Sequence, residues 1–575
     1  MWNQVYDPLG NPWLSALVAL IPIAVFFISL LVLKLKGQWA GLLTVASAIV
    51  IAIVVYGMPT DKALWSFAYG AFYGLWPIAW IIIAAIFLYK LTVKSGYFDI
   101  LRESIIAITP DQRIQVILIG FCFGAFLEGA IGFGGPVAIT AALLVGLGLR
   151  PLYAAGLCLI ANTAPVAFGA VGIPITAMAG AVNVPAIEIS AMAGHMLPPL
   201  SLFVPFFLVF LMNGLKGVKE TWPVALVAGG SFAIVQYLTA VYSGPELPDI
   251  ASAVVSIICV AVFLRFWQPE NIFTFNKAGD KNTENTKEAD ETDAKEASAS
   301  LEAKKHSTKE IVLAWLPFVL LIGVILIWTA GWFKDLFVGA GGKLSTGEIA
   351  QEAGILAASV LKFDFASLKE VIQIPPAVAE SKAVKSLFEI PIINATGTSI
   401  LIVALITIPL LRIKLSTAVA TFGETLNEMK WAIFTIALVV GFAFVSNYSG
   451  ISATLALALA QTGNAFAFFS PIVGWIGVFL TGSDTSSNLL FGTLQQLTAR
   501  QLGIDEVLFL AANSVGGVVG KMISPQSIAI ACAAVGLAGR ESELFRFTVK
   551  YSILLVIGIG LFTYAIAFYM QWLIP

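Results

Sequence analysis

Glu128, Asp484 and Lys521 are charged residues placed where charge is expensive. Glu128 lies in FLEGAIGFGGPVAITAALL (126–144), Asp484 in FLTGSDTSSNLLFG (479–492) and Lys521 in AANSVGGVVGKMISPQS (511–527), each within a long apolar region. Out of water, a carboxyl group favours its neutral form. Glu128 and Asp484 can therefore exchange a proton near neutral pH, and they are the candidate proton carriers. Either can instead be a fixed partner of Lys521 or of a helix end. A lysine at such depth should face a cavity or a carboxylate. Lys521 reads as the counter-charge of an anionic ligand, as the ion-pair partner of Asp484, or as a side chain snorkelling to an interface. Gly129, Gly132, Gly134 and Gly135, followed by Pro136, interrupt any helix that carries Glu128. The coincidence has a physical sense: the break lets Glu128 reach a cavity, and the charge gives that cavity a proton-binding group.

The surrounding elements must be membrane helices. The chain has 575 residues, of which 59% are hydrophobic and 11% charged, with a mean hydropathy of +0.91. Soluble domains carry about 25% charged residues. Uncharged runs of about 20 residues fit helical spans rather than the roughly 10-residue alternation of a β-barrel. A net charge of −2 implies no nucleic-acid partner. The opening MWNQVYDPLGNP has no basic n-region, so the first apolar run reads as a retained span. Cys122, Cys158, Cys259 and Cys532 lie in apolar segments with no metal-ligand spacing, which suggests buried, reduced thiols and neither a metal nor a cofactor. His195 and His306 are far apart, His195 in an apolar span suited to packing and His306 in a polar segment suited to solvent. No nucleophile–base or metal constellation points to an enzyme.

The expected fold is an all-α polytopic membrane protein with about 12 spans plus two re-entrant helical hairpins. Spans are expected near 14–33, 39–57, 64–93, 151–180, 198–214, 222–243, 247–266, 310–330, 397–411, 430–447, 504–535 and 551–573. A straight helix from Arg113 to Arg150 would extend about 50 Å against a hydrocarbon core of about 30 Å, so 114–148 should enter and leave on one side. With that hairpin, and with both termini on the periplasmic side, Lys34, Lys36, Lys90, Lys94, Arg102, Arg113, Arg150, Lys216, Lys219 and Arg265 all fall in the cytoplasm, as the positive-inside rule requires.

The chain then divides into N-terminal spans (1–60), a first repeat (64–196, with hairpin 114–148 and broken helix 151–180), and connecting spans (198–266). A low-complexity cytoplasmic linker (268–309) follows, then a span (310–330) and an amphipathic outer-surface cap (331–396) expected to be helical. The second repeat (397–541, with hairpin 467–500 and broken helix 504–535) and a last span (551–573) complete it. The tryptophan and tyrosine cluster at 64–76 reads as an interfacial belt or a helix-packing face.

The two repeats share an ordered pattern. SGYFDIL at Ser95 is echoed by SGISATL at Ser449, and FLEG at Phe126 by FLTG at Phe479. ANTAPVAFGAVGIP from Ala161 aligns without a gap on ANSVGGVVGKMISP from Ala512, pairing Asn162 with Asn513, Gly169 with Gly520 and Pro174 with Pro525. In the expected topology the copies are inverted. Paired hairpins and broken helices in opposite orientation are the sequence pointer to a secondary transporter with a site at the bilayer midplane.

FGAFLEGAIGFGGPVAITAALL (123–144), LCLIANTAPVAFGAVGIPI (157–175), FLTGSDTSSNLLFG (479–492) and AANSVGGVVGKMISPQS (511–527) resemble the bacterial lactate permease family, and the likeness runs over essentially the whole chain. The resemblance implies import of L-lactate, D-lactate and glycolate with protons across the bacterial inner membrane. A looser, architectural likeness is to sodium/dicarboxylate symporters of the ion transporter superfamily, which would imply sodium coupling. Those proteins carry Ser-Asn-Thr motifs at both tips. Here TGSDTSSN is rich in such groups, whereas EGAIGFGG offers only Glu128, which favours the proton.

For a substrate with one carboxylate and one hydroxyl, the helices that begin after each tip supply free N–H groups and partial positive charge. Gly129, Gly134 and Gly135 allow close approach to backbone. Asn162, Thr163, Ser483, Thr485, Ser486, Asn513 and Ser514 can hydrogen-bond the substrate or satisfy the backbone freed by the breaks, and Lys521 can balance its charge.

Overall fold

The computed structural model describes residues 1–33, 35–132, 135–274, 306–338, 355–378, 380–537 and 540–575. Gly134, Lys34, most of the linker and residues 339–354 of the cap lie outside the described residues. The fold is helical and polytopic. Among the described residues, 8 helices are long and apolar enough to cross a membrane, or up to 10 if each of two bent pairs counts as one span. The count differs from the expectation because Pro12–Phe27, Pro248–Phe263 and Thr396–Leu410 are shorter apolar helices. The expected spans 198–214 and 222–243 are the two arms of Pro198–Tyr242, which breaks at Asn213 and Gly214, where the backbone is not helical. The fold brings the halves side by side: a Cβ at Gly229 would lie 2.7 Å from the Leu202 carbonyl oxygen, and the Ser201 hydroxyl donates to Gln236 Oε1 at 2.6 Å.

Residues 112–146 enter and return. Gln112–Ala130 runs in, the chain turns at Gly132 (φ +58), and Gly135–Gly146 runs back. Gln112 Nε2 donates to the Leu147 carbonyl at 2.7 Å and closes the open end. That end is anchored by Arg113, which is fully buried yet paired: it bridges Asp111 at 2.8 Å and Glu220 at 2.5 Å and donates to the Asn271 carbonyl. Burying a guanidinium is tolerable only with partners of this kind.

The second hairpin is built from Phe466–Thr481 and Asp484–Leu502, turning at Gly482 (φ +71). The Ser487 hydroxyl donates to the Gly474 carbonyl at 3.0 Å, and the Ser470 hydroxyl donates to Gln495 Oε1 at 2.8 Å, tying the two arms together.

The cap is helical at Gly331–Val338, but it departs from the expected helix further on, where Val360–Asp364 and Leu387–Pro391 are strands. Val360–Asp364 pairs antiparallel with Leu387–Pro391, with Phe363 opposite Phe388 and Lys362 opposite Glu389. Trp2–Asn3, Val371–Gln373 and Lys382–Ala383 form a second small sheet. Cross-strand aromatic and opposite-charge pairs favour this pairing over a helical face. The sheets cover Thr60–Tyr73, where Lys62 bonds Glu370 at 2.7 Å and Tyr69 donates to the Leu387 carbonyl. Tyr69 and Tyr73 pack against Phe388 and Phe444, a packing role for the 64–76 aromatics. His306 also departs from expectation: its Nε2 lies 2.6 Å from Glu103 rather than in solvent. His195 stacks edge-on against Tyr237. Cys122, Cys158 and Cys532 are buried free thiols and Cys259 is half-buried.

Candidate functional site

Each hairpin tip abuts the broken helix of its own half. In the first half, Pro151–Ala161 ends at Asn162, and the chain resumes as Gly169–Val182 after a 66° bend. Ala170 (φ +45), Val171 (φ +57) and Gly172 (φ +74) take left-handed backbone there. For alanine, and more so for a β-branched valine, this is strained geometry held by its surroundings. Two neighbours hold it. The hairpin tip is one, since a Cβ at Gly132 would lie 3.0 Å from the Ala170 Cβ. The Pro245 carbonyl is the other, 2.3 Å from a Cβ at Gly172, a space only glycine leaves open.

In the second half, Glu506–Lys521 and Pro525–Ala534 are separated by a short break that Ser524 caps by accepting from the Ser527 N–H at 3.2 Å. The first arm of the hairpin packs on this helix through glycines. A Cβ at Gly516 would come within 1.8 Å of the Pro471 carbonyl oxygen, and one at Gly520 within 2.5 Å of the Trp475 carbonyl oxygen. The tip meets the break at Gly482, beside the Gln526 side chain.

The halves then cross. Lys521 Nζ, at the second break, lies 2.5 Å from Glu128 Oε1 at the first tip, and both side chains are buried. Lys521 is thus paired with Glu128, not with Asp484. The Glu128 carboxyl rests on the first break, since a Cβ at Gly169 would meet Oε1 at 2.8 Å. Asp484 is buried close by and within electrostatic reach of both Lys521 and Glu128. Its Oδ2 accepts from the Ser514 hydroxyl at 2.5 Å and from Asn488 Nδ2 at 3.4 Å. From there a network continues: Asn488 Nδ2 donates to Ser514 Oγ and to the Pro174 carbonyl, Asn513 Nδ2 donates to Asn488 Oδ1, and Gln495 Nε2 donates to Asn513 Oδ1. Asn513 and Ser514 therefore face the charged cluster through Asn488 and Asp484.

A family model described as L-lactate permease matches residues 15–570. The chain belongs to the L-lactate permease family. The L-lactate permease of Salmonella typhi is 53% identical over 575 residues, covering 100% of both chains. The glycolate permease GlcA of Escherichia coli (strain K12) is 53% identical over 563 residues, 98% of this chain and 97% of that one. The L-lactate permease of Bacillus subtilis (strain 168) is 49% identical over 578 residues, again covering 100% of both chains.

In this L-lactate permease family member the remaining candidate residues have distinct positions. Gly129 touches Asp249 and Ile250 so closely that a Cβ would lie 2.7 Å from the Asp249 Cβ. Gly135 opens the returning arm of the hairpin. Asn162 is 4% exposed and its Oδ1 has no partner among the described residues, whereas the Thr163 hydroxyl is spent on the Ile160 carbonyl. Ser483 caps its helix by accepting from the Ser486 N–H. Ser483, Thr485 and Ser486 line a cleft with Thr435 and Ile173 that does not include Glu128 or Lys521.

Sequence reasoning missed Asp249, Asn488, Gln495 and Gln236. Gln236 Nε2 satisfies the Ala164 carbonyl freed by the first break. Asn488 and Gln495 sit one and three turns beyond Asp484 on the same helix, a spacing that signals one polar face. Asp249 follows Pro248 in the first turn of a helix, where an acid is favoured by the helix dipole without any further role. Its signal was Ser252 and Ser256, which extend the same stripe through an otherwise apolar helix.

Proposed function

We propose that this chain is a secondary transporter that imports L-lactate and related 2-hydroxymonocarboxylates, D-lactate and glycolate among them, together with protons across the cytoplasmic membrane. The names of the full-length relatives support the substrate class. One observation carries the mechanism: the buried Lys521–Glu128 pair joins the first hairpin tip to the second break.

An ammonium in a dry site can balance one carboxylate at a time, and an unbalanced buried charge is costly. A substrate carboxylate that takes Lys521 must therefore displace Glu128, and the site returns to charge balance when a carboxyl of the cluster takes a proton. Anion and proton then cross as a neutral load. Glu128 and Asp484 are the proton carriers in this scheme, and Lys521 is the counter-charge. The hydroxyl of the substrate meets the amide and hydroxyl groups of Asn513 and Ser514, assisted by Asn162. Ser483, Thr485 and Ser486 line the approach to the second tip. Each half carries a hairpin and a broken helix, so rocking of the inverted halves about the shared cluster gives alternating access, with both termini on the periplasmic side.

The test is uptake of labelled L-lactate into proteoliposomes under an imposed pH gradient, with and without sodium. Accumulation above the outside concentration without sodium is expected. Accumulation only with sodium would establish a sodium-coupled carboxylate symporter instead, and equilibration without accumulation would leave a channel. Glu128→Gln and Asp484→Asn should each reduce proton uptake with lactate; undiminished coupled uptake in both would remove these residues as carriers.

A further inference from the structure

Asp249 is a buried acid without partners at the edge of the charged cluster. It is 1% exposed, and neither carboxyl oxygen has a hydrogen-bond partner among the described residues. Its Cβ packs against Gly129, the residue after Glu128, and no side chain longer than hydrogen fits between them. The charged groups acting on it are Glu128 from the first tip and Lys521 from the second break. The other elements packed on its helix, including Val116–Phe123, Gly169–Val182 and Pro198–Tyr242, bring no further charge to it among the described residues. Lys521 is already committed to Glu128, whose own second oxygen, Oε2, is likewise unpartnered.

Burying a carboxylate with no hydrogen-bond donor and no counter-ion of its own is costly, and a bound proton removes that cost. One turn along the same face, the Ser252 hydroxyl is buried and also unpartnered. A turn further, Ser256 touches Cys122 Sγ at 3.3 Å and donates to the Ala228 carbonyl. The stripe leads away from the cluster alongside the entering arm of the first hairpin, towards its open end at Arg113.

We propose that Asp249 is the proton-holding residue that completes this site, loaded from water on one side of the membrane and unloaded to water on the other, with Ser252 beside it on the path. The proposal rests on the proton-coupled reading above and adds a group to it. The step is a proton transfer alone: hydronium gives its proton to the Asp249 carboxylate, one O–H bond forming as another breaks, and water takes it back after the site reopens. Glu128 and Asp484 keep the roles given above, and Asp249 is a further carboxyl that holds the proton while substrate occupies Lys521.

The test compares two modes of transport in proteoliposomes holding the full chain. Net accumulation driven by a pH gradient requires the proton to be released in every cycle. Exchange of labelled for unlabelled L-lactate across the membrane does not. In Asp249→Asn, net accumulation driven by the pH gradient should be lost while exchange persists in part. Accumulation in Asp249→Asn equal to the unaltered chain, with the same pH profile, would overturn the proposal. If Asp249→Asn fails to reach the membrane, Asp249→Glu decides, because it keeps the acid but moves it. A displaced pH profile of uptake would support the role and an unaltered one would refute it. Absence of pH-driven accumulation in the unaltered chain would instead remove the proton-coupled reading itself.

Discussion

Lys521 Nζ sits 2.5 Å from Glu128 Oε1 although 393 positions separate the two residues in the chain. The pair is the one ion bridge described between the first hairpin tip and the second broken helix. It joins the two interruptions of the chain through one buried ion pair.

Removing one member should cost more than removing both. Lys521→Met leaves Glu128 buried without a counter-ion, a loss of about 3–5 kcal/mol, whereas Glu128→Gln/Lys521→Met should regain most of that stability. Thermal unfolding of the single and double variants in detergent measures the difference. Transport should be lost in Lys521→Met and should not return in the double variant, because the counter-charge proposed for the substrate is still missing.

The glycine interface between the second hairpin and its broken helix should not tolerate even a methyl group. Gly516→Ala places a Cβ against the Pro471 carbonyl and should destabilise the protein by about 1–3 kcal/mol or more through overpacking. Gly230→Ala and Gly558→Ala open onto free space and are the matched controls, where helix propensity favours alanine. Equal melting temperatures for all three variants would contradict this packing.

Asn488 links Asp484, Ser514, Asn513 and the Pro174 carbonyl. Asn488→Leu strands these groups in a buried site, and each unsatisfied group costs about 1–3 kcal/mol. Reduced stability and a raised KM for lactate are expected. Thr163→Val, which removes a hydroxyl that donates to the nearby Ile160 carbonyl, should change KM little. Uptake kinetics at fixed pH compare the two.

The cap offers a pH-dependent contact outside the spans. Lys62 beside Glu370 holds the Glu370 carboxyl below its usual range. A depressed carboxyl contributes docking that is present above its unfolded pKa and lost as pH falls through the lower folded value. The contact should therefore persist at neutral and mildly acidic pH and fail only in stronger acid. Glu370→Gln should loosen it at neutral pH. Hydrogen exchange of residues 360–373 across this pH range reads both effects.

Much of the architecture was legible because apolar length and glycine placement are local properties. The stretch from Arg113 to Arg150 was too long for one crossing and carried its glycines in the middle, so a hairpin followed from helix geometry. The echo of FLEG by FLTG, and of Asn162 by Asn513, exposed the repeat for the same reason. The cap was misread because a strand's partner lies elsewhere in the chain: Val360–Asp364 is a strand only because Leu387–Pro391 pairs with it.

Residue types and spacing along the chain determined that this protein is a helical membrane protein of two similar halves, with Glu128, Asp484 and Lys521 as its costly charges. That follows because the expense of burying a charge or breaking a helix can be judged one segment at a time. Only the tertiary structure decided that Lys521 answers Glu128 rather than Asp484, and that Asp249, an unremarked acid at a helix start, stands beside them. Pairing of charges depends on which distant backbones approach within a few ångströms, and glycines such as Gly129 and Gly169 set that approach.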